Sequence, residues 1–228
     1  MPDSLLSPLS LDLAFAALAV CSLYAFYRLT GRRRSWLLAG ILWLVVTGSL
    51  AYAGFFRVVD SVPPRLALVL LPMLGVGLLV GFGRPGRTLR SAADLEGLHY
   101  FHGIRILVET IFLHQLHEEG LVAEALTYHG FNFDLYMGIL LPVVGYLVFR
   151  RCVLPRSVSV AANVLGILVL TWTIVVAVLS APTPYQQFGT EQPTVAIFFL
   201  PYVWLPALVA PLMFWAHFIC LGPDTRRS

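Results

Sequence analysis

The sequence predicts an all-α fold: a polytopic transmembrane helical bundle of seven spans, N-terminus outside and C-terminus cytoplasmic. Three observations predict it. Of 228 residues, 58% are hydrophobic and 12% charged, against about a quarter charged in soluble domains. The mean hydropathy is +0.81, as expected of a chain solvated by lipid. The apolar residues are gathered into segments of spanning length, separated by short loops rich in arginine or proline. No polar stretch is long enough to fold separately, so residues 1–228 read as a single transmembrane domain.

The first span is predicted over 12–29. Its LAVC, ending at Cys21, is similar to a lipoprotein cleavage site, but a basic n-region is missing and Val20 is a poor residue there. The segment therefore reads as a retained span. Arg28, Arg32, Arg33 and Arg34 follow it, and such basic loops stay in the cytoplasm. The second span, 36–56, leads to the nearly neutral RVVDSVPPR, predicted outside. The third, 66–83, carries Gly77 and Gly81, a GxxxG pair that lets helices approach closely. GRPGRTLR, with Arg84, Arg87 and Arg90, is predicted inside.

Parity then requires a crossing that hydropathy does not announce. FRRCVLPRS, with Arg150, Arg151 and Arg156, also belongs inside, yet 134–149 is the one obvious span between these two basic loops. Residues 98–117 supply the missing crossing as a polar fourth span. An interfacial or re-entrant helix there would break the charge rule. The sixth span is 158–180, and SAPTPYQQFGTEQPT, whose one charge is Glu191, follows it outside. The seventh, 195–221, holds Pro201, Pro206 and Pro211 at five-residue spacing. It is predicted to kink, with other groups meeting the carbonyls that proline frees. The tail DTRRS lies inside on this reading.

The polar fourth span points to function. HYFHGIRILVETIFLHQLHEEG, His99 to Gly120, holds four histidines, an arginine and three glutamates. At about 100° per residue, His99, His102, Arg105, Glu109, Leu116 and His117 fall in a sector roughly 120° wide. Arg105 and Glu109 sit near mid-span, where each would cost on the order of 3 kcal/mol if left alone. They are expected to pair and face the bundle interior. Because Arg before Glu is the less favourable order within one helix, a partner on another helix is also open to each. The functional reading is a ligand- or proton-binding site of His102, Arg105 and Glu109; the bland one is an ion pair that fixes packing.

A second constellation lies at the outer end. His114, His117, Glu118 and His129 are candidate ligands for a divalent transition metal, since His at i and i+3 can share an ion and a loop residue can complete the set. HxxHE is not HExxH, and polar residues belong at a wet membrane face without any chemistry. Histidines beside carboxylates are also suited to pH sensing. In the loop that follows, Gly130 suits a tight turn, and Asn132 or Asp134 suits a cap on the next helix.

The stretch IRILVETIFLHQLHEEGLVAEALTYHGFNFDLYMGILLP, with Arg105, Glu109, Gly120, Thr127, Gly130, Asn132 and Asp134, resembles a family of uncharacterised bacterial multi-pass inner-membrane proteins. In that family an R-x-x-V-E stretch precedes a loop similar to M-T-F-E-G-R-N-F-D. His129 stands where the family often has Glu, and Phe131 where it often has Arg. The match spans about forty residues around 104–143. It implies a location in the bacterial inner membrane and no particular activity.

Other features narrow the field. Every basic residue is arginine, so no lysine can form a Schiff base with retinal or a pyridoxal cofactor. Cys21, Cys152 and Cys220 form no CxxC pair. The triplet Arg32, Arg33 and Arg34 reads as a topology signal beside anionic lipid, not a nucleic-acid patch. Asn163 is expected to bond across helices, His217 to be a boundary residue, and Trp204, Trp215, Tyr202 and Tyr185 to include interfacial anchors. Three classes remain. The leading one is a protein that binds or transports a small molecule or ion at Arg105 and Glu109, and is not an enzyme. The others are a metal-dependent membrane enzyme at the outer histidines and a non-catalytic partner in a membrane assembly. The bilayer is the expected partner throughout, and an oligomer is compatible with each.

Overall fold

A computed structural model describes residues 7–83 and 87–222, with the side chains of 87 and 88 excepted. Among the described residues the chain is all-α, 72% helical and without strands. Arg84, the Arg87 side chain and the tail DTRRS, which entered the topology argument, lie outside them.

Helix α1, Leu9–Leu29, starts after Pro8, whose carbonyl accepts from the amides of Leu11 and Asp12. It ends at a four-residue link in which Gly31 takes φ +88°. That left-handed turn suits glycine and leads straight into α2, Arg34–Tyr52. Helix α3, Ala67–Phe82, follows the proline-bearing connection. A short α4, Arg87–Ala92, places Arg90 where its guanidinium donates to the carbonyls of Val80 (2.8 Å) and Gly81 at the end of α3. A cation there meets both orphan carbonyls and the negative end of the dipole.

The polar segment is helical but not uniform. It runs through α5, Leu95–Phe101, and α6, Ile104–Leu107, then a π-helical stretch, Val108–Leu113, and α7, His114–Glu118. Between α5 and α6 the chain is overwound, with i→i+3 bonds from the amides of His102, Gly103, Arg105 and Ile106. Three residues per turn stacks positions three apart, so His99, His102 and Arg105 align and all three are buried. The π-helical stretch then turns Glu109 inward as well.

Helix α8, Asp134–Gly145, is prolonged by a π-helical stretch, Tyr146–Arg150, and is followed by α9, Arg156–Ser180. The last helical run begins later than the sequence suggests. Leu205–Val209 is π-helical and α10 is Ala210–Leu221, while 195–204 forms a 3₁₀ turn, Ala196–Phe198, and a non-helical link that contains Pro201. The expected kinked helix over 195–221 is thus a shorter column, because Pro201 cannot join a helical ladder. The freed carbonyl is met as expected: Pro211 brings no N–H to Ala207 O, and the Trp43 indole donates to it at 2.8 Å.

Helix α10 is the hub. Every residue from Pro211 to Cys220 is buried, with α1, α3, α5 and α9 around it. The GxxxG pair acts here: a Cβ on Gly77 would collide with the Trp215 indole, and one on Gly81 with Phe218. Trp215 and Tyr202 are buried rather than anchored at an interface, and the indoles of Trp215 and Trp204 donate to Met73 O (2.8 Å) and Leu44 O (3.0 Å). The outer helices are the reverse. In the most apolar stretches of α1, α2 and α9 only 33%, 22% and 28% of residues are buried, so side chains such as Leu13, Leu42 and Leu168 face outward. Apolar surface of that extent needs a non-aqueous surround. These three helices are long and apolar enough to cross a membrane, which marks the chain as a helical membrane protein.

Close approach of α9 and α10 depends on Gly166, where a Cβ would strike the His217 imidazole. Gly166→Ala is expected to lose about 1–3 kcal/mol of stability by overpacking. Gly75→Ala, in open space on α3, should lose none. Thermal unfolding of both variants in one detergent tests the difference.

Candidate functional site

The site is built around Arg105, which is 1% exposed. Three side chains from two helices converge on its guanidinium. From α10, Met213 Sδ accepts from Nε at 3.3 Å and His217 Nε2 accepts from Nη2 at 3.0 Å. From α8, Asp134 Oδ1 lies 3.3 Å from Nη1. Asp134 opens its helix, where the exposed N–H groups and the dipole favour a carboxylate.

The contact between Nη1 and Oδ1 is an ion pair without hydrogen-bond geometry, and neither atom has a hydrogen-bond partner among the described residues. The expected pairing of Arg105 with Glu109 is therefore replaced by a pairing across helices. Glu109 Oε2 instead accepts from Asn132 Nδ2 at 2.7 Å. Asn132 also donates to Leu126 O (2.9 Å), and its Oδ1 accepts from Asp134 N (3.0 Å) and Thr173 Oγ1 (3.2 Å). The N-cap position of α8 is Phe133 rather than Asn132 or Asp134; Asn132, one residue earlier, meets the first amide of the helix and orients Glu109 as well.

A chain of hydrogen bonds runs from Arg105 toward the basic loop. A guanidinium only donates, so His217 Nε2 must accept and its Nδ1 donates to Asn163 Oδ1 at 2.9 Å. Asn163 Nδ2 and Ser159 Oγ both lie 3.0 Å from His99 Nε2, while His99 Nδ1 donates to Leu95 O at 2.7 Å. Arg156 donates to Ser159 Oγ at 2.8 Å and to Gly222 O at 3.0 Å. The two arginines thereby fix His217 and His99 each in one neutral tautomer. An arginine cannot pass a proton on by losing one, so this chain orients Arg105 rather than conducting.

His217 is a correction: far from a boundary residue, it is fully buried and holds the guanidinium. His102 stacks on it, ring centroids 4.1 Å apart, and neither His102 nitrogen has a hydrogen-bond partner among the described residues. Asn163 bonds across helices as expected. Ser159, Thr173 and Met213 were missed; the signal open to sequence reasoning was hydroxyl groups in an otherwise apolar sixth segment.

Beside this cluster lies a cavity of about 340 Å³. Arg105, Glu109, Asp134 and Thr173 line one part of it, and its remaining wall is mostly aliphatic, including Leu70 and Leu74 of α3 and Leu170 and Ile174 of α9. Volumes of this order suit small ligands.

The outer histidines are not drawn together in the same way. His117 Nδ1 donates to Val122 O at 2.9 Å, in a cap where Gln192 donates to the carbonyls of His117 (2.8 Å) and Val122 (2.7 Å). The rings of His114 and His129 are 6.1 Å apart between centroids, each packed against Tyr128, and Glu118 is exposed. Among the described residues, no group of three His, Cys, Asp or Glu side chains is placed to hold a metal ion.

Fold and site together define a helical membrane protein with buried ionisable residues at an apolar cavity. Comparisons with protein-family models, curated proteins and solved structures give no match.

The buried pair makes a stability prediction. Asp134→Ala strips Arg105 of its close counter-charge and should cost about 3–5 kcal/mol. The double variant Arg105→Met/Asp134→Leu should recover most of that loss, as measured by thermal unfolding in detergent.

Proposed function

We propose that the chain is a seven-span membrane protein that binds a small ligand at Arg105, Glu109 and Asp134, in a binding or transport role rather than an enzymatic one. The observation that carries this reading is the buried ion pair of Arg105 Nη1 and Asp134 Oδ1, 3.3 Å apart and each without a hydrogen-bond partner among the described residues, on residues that border the cavity. A pair kept solely for packing would gain from completing its hydrogen bonds. A donor and an acceptor left open beside a cavity suit a group brought in from outside. His102 stacks on His217 behind the guanidinium and is not among the residues that line the cavity.

Seven crossings, N-terminus out and C-terminus in, remain the topology that fits the arginine-bearing loops. Its weakest member on hydropathy, the polar segment, is helical over most of Leu95–Glu118. Those 24 residues (118 − 95 + 1) would reach about 36 Å at 1.5 Å each, enough for a hydrocarbon core of about 30 Å. The family resemblance favours the bacterial plasma membrane.

Two experiments test this. Arg105→Lys keeps the charge but loses the fork, and Glu109→Gln keeps the shape. Mass spectrometry of extracts from purified protein should find a compound bound to the wild type and reduced at least about tenfold in both variants, with both still monodisperse. An identical extract from all three proteins would overturn the binding reading. For topology, a membrane-impermeant thiol reagent on intact cells should label Gln187→Cys and spare the native Cys152; labelling of Cys152 would sink the seven-span arrangement.

A further inference from the structure

The geometry points to a specific ligand class for this site: a single-chain neutral amphiphile with a hydroxyl head, entering sideways from the bilayer between α3 and α9. The inference rests on the ligand-binding reading above and deepens it.

The walls speak for the chain. An ion would need no 340 Å³ cavity, and a polar solute would gain nothing from walls of Leu70, Leu74, Leu170 and Ile174. A hydrocarbon chain gains about 25 cal/mol for each Å² it buries from water, and loses nothing in moving there from lipid. The walls also indicate the route. Helices α3 and α9 each pack on α10, and the cavity lies between them, backed by Leu205, Ala210 and Met213. Leu71 and Val178, which also line it, are 61% and 39% exposed. Both sit on lipid-facing sides of their helices, so the entrance opens toward acyl chains.

The polar end selects the head. The two atoms without a hydrogen-bond partner are a donor, Arg105 Nη1, and an acceptor, Asp134 Oδ1, both buried and 3.3 Å apart, so a head group reaches them by parting their contact. A carboxylate head only accepts; it would meet the arginine but crowd Asp134 and Glu109 with a third acid. An ammonium head only donates; it would meet Asp134 but stand against the guanidinium. A hydroxyl both donates and accepts, so one group satisfies both atoms and adds no charge. Thr173 and Glu109 at the same wall leave room for a second hydroxyl, as in a monoacylglycerol.

A second cavity of about 320 Å³ offers a built-in comparison. It lies against α1 and α2, with Trp36, Trp43 and Trp215 in its wall, and no carboxylate or guanidinium lines it. It should take up apolar chains without regard to the head.

The test uses the full chain in phosphatidylcholine nanodiscs and three photoreactive probes with the same diazirine-bearing sixteen-carbon tail: an alcohol, a carboxylate and an amine. Labelled peptides are mapped by mass spectrometry, and labelling of 66–74 and 170–178 is normalised to labelling at 36–43 in the second cavity. The alcohol should exceed each charged probe by about tenfold. Leu71→Trp, which narrows the entrance from α3, away from the polar cluster, should abolish the alcohol's labelling while thermal unfolding stays within a few degrees of wild type. Equal labelling by the three probes, or labelling that survives Leu71→Trp, overturns the hydroxyl site. Preference for a charged probe overturns the head assignment and leaves ligand binding intact. No labelling of the α3–α9 cavity by any probe overturns the amphiphile, whereas the ligand-binding reading stands or falls separately on the co-purified compound.

Discussion

The arrangement of the inner helices depends on burying one guanidinium. Arg105 cannot lose its charge, and leaving it uncompensated in an apolar interior would cost several kcal/mol. The remedy recruits three elements. Helix α8 begins at the residue that supplies the counter-ion, and α10 brings a sulfur and an imidazole. Helix α9 holds that imidazole through Asn163. Glycines then admit the polar groups to the packing. Gly166 clears the His217 ring, and Gly145 clears His99, so either residue with a side chain would push a helix away from the network. Lipid supplies no hydrophobic drive between helices, and close approach with satisfied polar groups supplies the alternative.

The backbone of the polar segment follows from the same demand. A regular helix would rotate His99, His102 and Arg105 progressively around its axis. Overwinding keeps the three in line, and the π-helical stretch beyond them brings Glu109 to the same interior. Departures of both kinds are tolerated where the backbone groups are buried in protein. Here the segment packs between α8 and α10. π-helical stretches also recur in Leu205–Val209, against the central helix, and in Tyr146–Arg150.

Much of this was legible in the sequence, for identifiable reasons. The helical, lipid-facing class followed from composition, and the helices at 9–29, 34–52 and 156–180 lie where hydropathy put them. That His102, Arg105 and Glu109 face inward followed from the cost of charge in lipid. What stayed hidden was the choice of partner. Periodicity within one segment offers Glu109 to Arg105, and nothing local says that Asp134, read as a cap, lies closer in space. His217 was misread because nearness to a segment's end was taken for nearness to water. The helix it belongs to is the central one, wrapped on all sides, and centrality is a property of the assembly rather than of any stretch. The start of the last helix was misplaced because hydropathy continues through Pro201 although the helical ladder cannot.

The unsatisfied atoms of the charge pair belong to residues that border the cavity. Of the hydrogen-bonding nitrogens of Arg105, Nε and Nη2 are held by α10, and the one left open, Nη1, faces Asp134 on α8. Asp134 is ordered in turn by the Asn132 side chain, which accepts from its amide and also fixes Glu109. So the donor and the acceptors on the residues beside the cavity are each held from behind. Pre-set polar groups cost little on binding, and their strength is greatest where water is excluded. An aliphatic wall on the other side of the same space then admits little that is not itself partly hydrocarbon. The charge pair explains why the bundle is ordered around this point, and the cavity lies beside it.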